Sequence, residues 1–181
     1  MAMHKVRHTR ADYDRLPEGA YAQLIEGELV MTPAPTPWHE RLGHRVISVL
    51  ADLFGPAWYD RVLGSRFEIV VGKPPDEEIV QPDVVVFPEG TKATGRYWKP
   101  PTPVLVAEIL SPSTQHYDRG AKLRIYATAG VKEAWLLDAV AETIEIHDFA
   151  GPTTRLFAAG EVAESRAVPG LSVDVAAFFA V

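Results

Sequence analysis

Apolar residues recur at three- and four-residue spacing through Leu42, Val46, Val49, Leu50 and Leu53, which predicts one long amphipathic helix over 38–54, ended by Gly55-Pro56. Elsewhere the apolar positions form short Val- and Ile-rich runs bounded by Pro and Gly, predicting strands at 62–71, 80–87 and 104–110. In the last run Val104, Val106, Glu108 and Leu110 share one face and Leu105, Ala107 and Ile109 the other, so both faces are apolar apart from Glu108. A strand of that kind is covered on two sides. Around these lie a short helix or turn over 9–16, a hairpin or kinked strand centred on Gly27 in 23–31, and a helix over 117–129 closed by Gly130. Strands follow at 133–137 and 143–149, then short strands around Leu156 and Val162, the turn Pro169-Gly170 and a final helix with Asp174 as its N-cap. This order of elements predicts a mixed α/β domain with an N-terminal hairpin.

A chain of 181 residues with 47% hydrophobic content can bury one sizeable core, and a single domain over 1–181 is expected. The absence of cysteine removes disulfides, thiolate metal sites and a cysteine nucleophile together, so any metal must be held by oxygen or nitrogen. It also fits a reducing cytoplasm, the expected location, since no stretch approaches the ~20 apolar residues of a membrane span. A net charge of −6 argues against a strong non-specific grip on nucleic acid, although Arg41, Arg45, Arg119, Lys122 and Arg124 lie near the segments that matter.

Two acids stand where burial is expected, Asp83 in Gln81-Pro-Asp-Val-Val-Val-Phe87 and Glu108 in the 104–110 run. A buried carboxylate costs several kcal/mol unless it is paired, hydrogen-bonded or bound to a cation. If the two strands pair, the acids converge at one end of the sheet. In the helix that follows, Lys122 and Tyr126 are four residues apart on one stripe, with Asp118 a turn earlier; if Tyr126 faces the sheet, Lys122 points inward beside it. Two acids and a lysine at a water-accessible strand end suit phosphodiester cleavage assisted by Mg²⁺. Each residue also has a plainer explanation. Asp83 suits a turn after Pro82, Glu108 is satisfied by an ion pair with Lys122 alone, and most helix lysines are simply solvated. His39 and His44 are five residues apart, not the four that would stack them on a metal, and His44 is assigned to the surface. Ser111 reads as turn chemistry rather than a nucleophile served by His116, and Tyr97, Trp98, Trp135 and Phe149 read as core or interface.

The ordered set Leu24-Ile-Glu-Gly-Glu-Leu-Val30, Pro33-Ala-Pro-Thr-Pro-Trp-His39, Gln81-Pro-Asp83, Val106-Ala-Glu-Ile-Leu-Ser-Pro-Ser-Thr114, Asp118-Arg-Gly-Ala-Lys122 and Tyr126 to Asp138 closely resembles the Uma-two family of restriction-endonuclease-like proteins. The resemblance implies the PD-(D/E)xK nuclease core, a mixed sheet flanked by helices, with Asp83 and Glu108 as Mg²⁺ ligands, Mn²⁺ as a substitute and DNA as substrate; a homodimer is the expected assembly. The superfamily pattern places a lysine two residues after the second acid, where this chain has Leu110; the family's replacement falls on Lys122. Glu28 and His39 match further site-related positions, Glu28 as an acidic ligand acting through water and His39 as a contact to substrate or to a ligand's outer shell. Two other functions share these residues: a catalytically silent interaction module of the same fold, and a metal-dependent hydrolase of a small phosphorylated molecule.

Overall fold

In a computed structural model, which describes residues 6–17, 19–64, 67–93, 100–151 and 153–180, helix α1 (Arg10–Tyr13) precedes the predicted hairpin of β1 (Ala22–Ile25) and β2 (Glu28–Met31). Ile25 stands opposite Glu28, and the two turn residues Glu26 and Gly27 have φ of 52° and 79°. A two-residue turn with both central residues at positive φ matches the twist of the strands it joins, and glycine takes that conformation without a steric penalty. The long amphipathic helix follows as α2 (Pro37–Phe54), then α3 (Trp58–Arg61).

Two predicted strands are each divided between sheets. The 62–71 run becomes β3 (Val62–Gly64) and β4 (Ile69–Val71), its link at 65–66 outside the described residues. The 80–87 run becomes the end of β5 (Glu78–Val80) and β6 (Val84–Val86), separated by Gln81-Pro82-Asp83. Pro82 has no N–H for a ladder, and the Gln81 N–H is donated at 2.9 Å to the Oε1 of the buried Gln23 side chain. The chain therefore changes sheets at Asp83.

Beyond it come β7 (Leu105–Ile109), α4 (Gln115–Asp118), α5 (Ala121–Ala129), β8 (Glu133–Asp138) and β9 (Thr143–Asp148). The chain ends with β10 (Thr153–Phe157), β11 (Val162–Glu164), β12 (Ser172–Asp174) and α6 (Val175–Phe179), whose N-cap Asp174 accepts the Ala177 N–H at 2.8 Å as predicted. The helix expected over 117–129 is thus two helices meeting at Arg119-Gly120. A Cβ on Gly120 would lie 2.9 Å from the His116 carbonyl oxygen, so the sharp join requires glycine.

The main sheet is six-stranded in the order β10-β9-β8-β7-β6-β3, with β7 and β8 parallel and the other neighbours antiparallel. A four-stranded sheet, β2-β1-β5-β4, and the pair β11-β12 accompany it. The alternation in β7 is realised: Leu105, Ala107 and Ile109 pack with Leu42, Val46 and Leu50 of α2 and Phe178 of α6. Val106 packs on the other side with Ile125 and Tyr126 of α5, in a core that also takes Ile25, Ile69 and Val80 from the smaller sheet. Each fully buried aliphatic side chain contributes about 1.5–3 kcal/mol, and α5 is held by apolar contacts to both sheets. Trp135 lies in the first core and Phe149 packs against the second, while Tyr97 and Trp98 fall outside the described residues. Among the described residues no helix is long and apolar enough to cross a membrane.

Candidate functional site

Strands β6 and β7 pair with Val84 opposite Ala107, and one further step of this register sets Asp83 opposite Glu108. Asp83 Oδ2 accepts the Ile109 N–H at 2.7 Å and lies 3.2 Å from His39 Nε2. His39 is placed there by the start of α2, where the Thr36 side chain caps the helix by accepting the His39 N–H at 3.2 Å and Pro37 occupies the first turn. The hydrogen bond to Asp83 raises the His39 pKa above its ordinary value against the opposing effect of burial. Both side chains are about one-fifth exposed, at 21% for Asp83 and 22% for His39.

Glu108 and Lys122 lie deeper, at 2% and 3% exposure. The predicted inward stripe of α5 is present: Lys122 Nζ is 2.5 Å from Glu108 Oε1, and the Tyr126 hydroxyl donates to the same oxygen. Lys122 also donates at 2.9 Å to Asp118 Oδ1, and Asp118, itself 3% exposed, accepts from Thr114 Oγ1 at 3.3 Å through its other oxygen. Burial, with the charges of Asp118 and Asp83, outweighs the pull of Lys122 and pushes the Glu108 carboxyl up to about 8. On Lys122 burial works against the charge, but Glu108, Asp118 and Asp83 together hold the ammonium above its ordinary range. The directions agree physically, because three carboxylates surround one cation. Burial and Glu108 likewise raise Tyr126, keeping it a donor.

Glu28 meets this assembly through α4, where the Tyr117 hydroxyl donates to its Oε2 at 2.9 Å. Asp83, Glu108, Lys122 and His39 therefore gather at one end of β6 and β7, with Glu28 joined through the neighbour of Asp118. The outer half, Asp83 and His39, reaches water; the inner half is sealed and internally paired. Among the described residues no three His, Asp or Glu side chains are grouped so as to hold a metal by themselves. His44 is exposed, and Ser111 Oγ has hydroxyl partners at 2.7 Å (Thr114) and 3.1 Å (Ser113), the turn chemistry expected of it. Asp118 and Tyr126 enter the site without having been assigned to it from sequence, although their spacing of four from Lys122 was the available signal.

Residues 10–176 match the model of the Uma2 family, described as "Putative restriction endonuclease". The chain belongs to this family. The solved structure of a putative nuclease belonging to DUF820, from Anabaena variabilis ATCC 29413, aligns with a TM-score of 0.72 over 94% of this chain and 97% of that one. At 19% identity this shows a shared fold. A stretch of 35 residues is 54% identical to the uncharacterized protein slr1290 of Synechocystis sp. (strain ATCC 27184 / PCC 6803 / Kazusa), covering 19% of this chain and 18% of that protein. In this Uma2 chain Leu110 occupies the place two residues beyond Glu108, and the cation beside the acid comes from α5 instead.

Proposed function

We propose that this Uma2 protein is a Mg²⁺-dependent nuclease that hydrolyses phosphodiester bonds of DNA, with Asp83 and Glu108 as metal ligands and Lys122 as the catalytic cation. The observation carrying this reading is the arrival of Lys122 at Glu108 beside the Asp83–Ile109 bond, which collects side chains from three separate segments at one strand end. The donor set fits a hard cation. The contacts of Asp83 fall on Oδ2 and those of Glu108 on Oε1, so Oδ1 and Oε2 take part in neither. Mg²⁺ uses one or two carboxylates and completes its shell with water and substrate phosphate, so a cluster of three acids is not required. When bound, Mg²⁺, or Mn²⁺ in its place, supplies Lewis acidity toward the phosphodiester. Lys122, in a low-dielectric setting, offsets negative charge developing on the phosphoryl group. His39, on the water-facing side and oriented by Asp83, is suited to hold or pass a proton, and Glu28 adds acidic character behind Tyr117. The same reading takes residues 1–181 as one domain acting as a homodimer, which sedimentation of the purified protein tests.

Cleavage of plasmid and single-stranded DNA with and without Mg²⁺ should show metal-dependent nicking by the wild type. Asp83→Ala, Glu108→Ala and Lys122→Ala should each reduce it by about a hundredfold or more. Equal cleavage by all four proteins, or none by any across metals and substrates, contradicts the proposal. A second reading, a silent binding module of the same fold, is favoured by the burial and internal pairing of Glu108 and Lys122. It predicts no heat of Mg²⁺ or Mn²⁺ binding in calorimetry.

A further inference from the structure

The edge of a sheet is a row of unpaired N–H and C=O groups, which proteins blunt with short strands, charge, proline, bulges or a covering segment. Among the described residues the edge strands β3, β4, β11 and β12 are three residues long, and β2, with four, runs into Pro33-Ala-Pro-Thr-Pro37. Strand β10, which ends the main sheet, has none of these devices. It pairs with β9 without a bulge over five residues, from Thr153 opposite Asp148 to Phe157 opposite Ile144, and contains neither lysine nor proline. Leu156 on it is 61% exposed. Its one charged side chain, Arg155, is folded back on its own chain, donating to the Glu164 carbonyl at 3.0 Å with the guanidinium 5.4 Å from the Phe157 ring centre.

The ladder fixes which groups of β10 face outward. The Phe149 N–H donates to the Lys132 carbonyl at 2.9 Å, so along β9 the backbone groups of residues 149, 147 and 145 face β8, and those of 148, 146 and 144 face β10. In the β9–β10 register the groups of Thr153, Arg155 and Phe157 then face β9, and Thr154 and Leu156 turn both N–H and C=O to the open edge. Among the described residues nothing bonds to these backbone groups, whereas those of Ala158, next in the same phase, are taken by Glu161. We propose that β10 is the homodimer contact, pairing antiparallel with β10 of a second copy about a two-fold axis at Arg155. Thr154 of each copy then lies opposite Leu156 of the other, and each of these two pairs exchanges two hydrogen bonds, which satisfies every outward group of both strands. A foreign strand would have to supply this pattern, but the same five residues supply it to one another. The two main sheets become one continuous sheet, and each exposed Leu156 gains a neighbour across the seam. This rests on the homodimer reading above and names its contact.

The test is sedimentation equilibrium of the full chain over a range of loading concentrations, with Leu156→Lys, Leu156→Pro and Val140→Lys beside the wild type. Leu156→Pro deletes an outward N–H that no bond to β9 uses, and circular dichroism checks that each variant folds. Leu156→Lys reduces the net negative charge of −6, so any weakening of association it causes comes from the edge and not from added repulsion between copies. The wild type should be a dimer, and both Leu156 variants should weaken dimerisation at least tenfold with the wild-type dichroism spectrum. Val140→Lys, at an 87% exposed position on the β8–β9 turn, should leave it within twofold of wild type. A dimer equally tight in Leu156→Lys overturns the β10 contact and leaves the homodimer reading intact. A wild type that stays monomeric overturns both.

Discussion

Glu108 on β7 and Glu133 on the adjacent parallel strand β8 are both buried acids, and they are satisfied in opposite ways. Glu133, fully buried at 0% exposure, accepts from Trp135 Nε1 at 2.6 Å, Ser165 Oγ at 2.7 Å and the Arg166 N–H at 2.9 Å. Its donors are neutral, and two belong to the C-terminal segment that it fastens to the sheet. The Arg166 guanidinium is directed elsewhere, to Asp148 at 3.2 Å. Glu108 instead shares an ammonium with Asp118, lies within the field of Asp83 and has its contacts on one oxygen. Burial of an acid does not therefore mark a functional site. The mark is an acid held among other ionisable groups, Lys122, Asp118 and Asp83, as Glu108 is.

Lys122→Met separates the two environments most strongly. It strands Glu108 and Asp118 without a cation and should cost about 3–5 kcal/mol in urea unfolding at neutral pH. Glu133→Ala leaves three neutral donors without their acceptor and should cost about 3 kcal/mol. Because Lys122 holds the Glu108 carboxyl down, its removal pushes that carboxyl above about 8, and the Lys122→Met penalty should grow as the pH climbs through about 8. The Glu133→Ala penalty, set by stranded neutral donors, should change little over the same range. A Lys122→Met penalty insensitive to pH would erase the distinction.

The contrast also shows what the sequence could reveal. Glu108 was legible because it interrupts an apolar run in the middle of a strand, whereas Glu133 opens its strand and looks like an ordinary polar boundary. Its burial depends on Ser165 and Arg166, some thirty residues later, and no local pattern encodes that return. The hairpin at Gly27, the cap at Asp174 and the two-faced strand β7 were legible because each rests on local stereochemistry or strand alternation. The division of 80–87 between two sheets was not, because a continuous apolar run fits one buried strand as well as two. Only Pro82 hinted at the break, and the pairing of Gln81 with Gln23 is long-range. Lys122 was readable as inward-facing only through Tyr126, while the sharing of its ammonium with Asp118 required the join at Gly120.

A smaller effect follows from the raised Glu108 carboxyl. Since it titrates at about 8 in the native state and in the ordinary carboxyl range when unfolded, the folded protein binds that proton more tightly. Its contribution to stability is complete below the ordinary carboxyl range and is lost as the pH climbs through about 8. Glu108→Gln, which has no such proton to lose, should show a flatter decline in urea midpoint between pH 5 and pH 8 than the wild type. Parallel pH profiles for the two proteins would place Glu108 in the same class as Glu133.

The mildest test concerns the outer half of the site. Asp83 raises the His39 pKa by its hydrogen bond, and with both side chains partly exposed, solvent screens the pair so that its effect on folding should be under about 1 kcal/mol. The native state gains from the charged histidine below the ordinary histidine pKa, and loses that gain as the pH rises through the raised value. Asp83→Asn removes the charge that favours the imidazolium, so the His39 ring signal in an NMR titration should move to a lower midpoint while the other histidines stay where they are. His44, exposed one turn further along α2, is the internal control. A His39 midpoint unchanged by Asp83→Asn would mean that Asp83 does not orient the ring. The water-facing half of the site would then lose the one interaction that suits His39 to proton transfer, and the difference between the two halves would reduce to depth of burial.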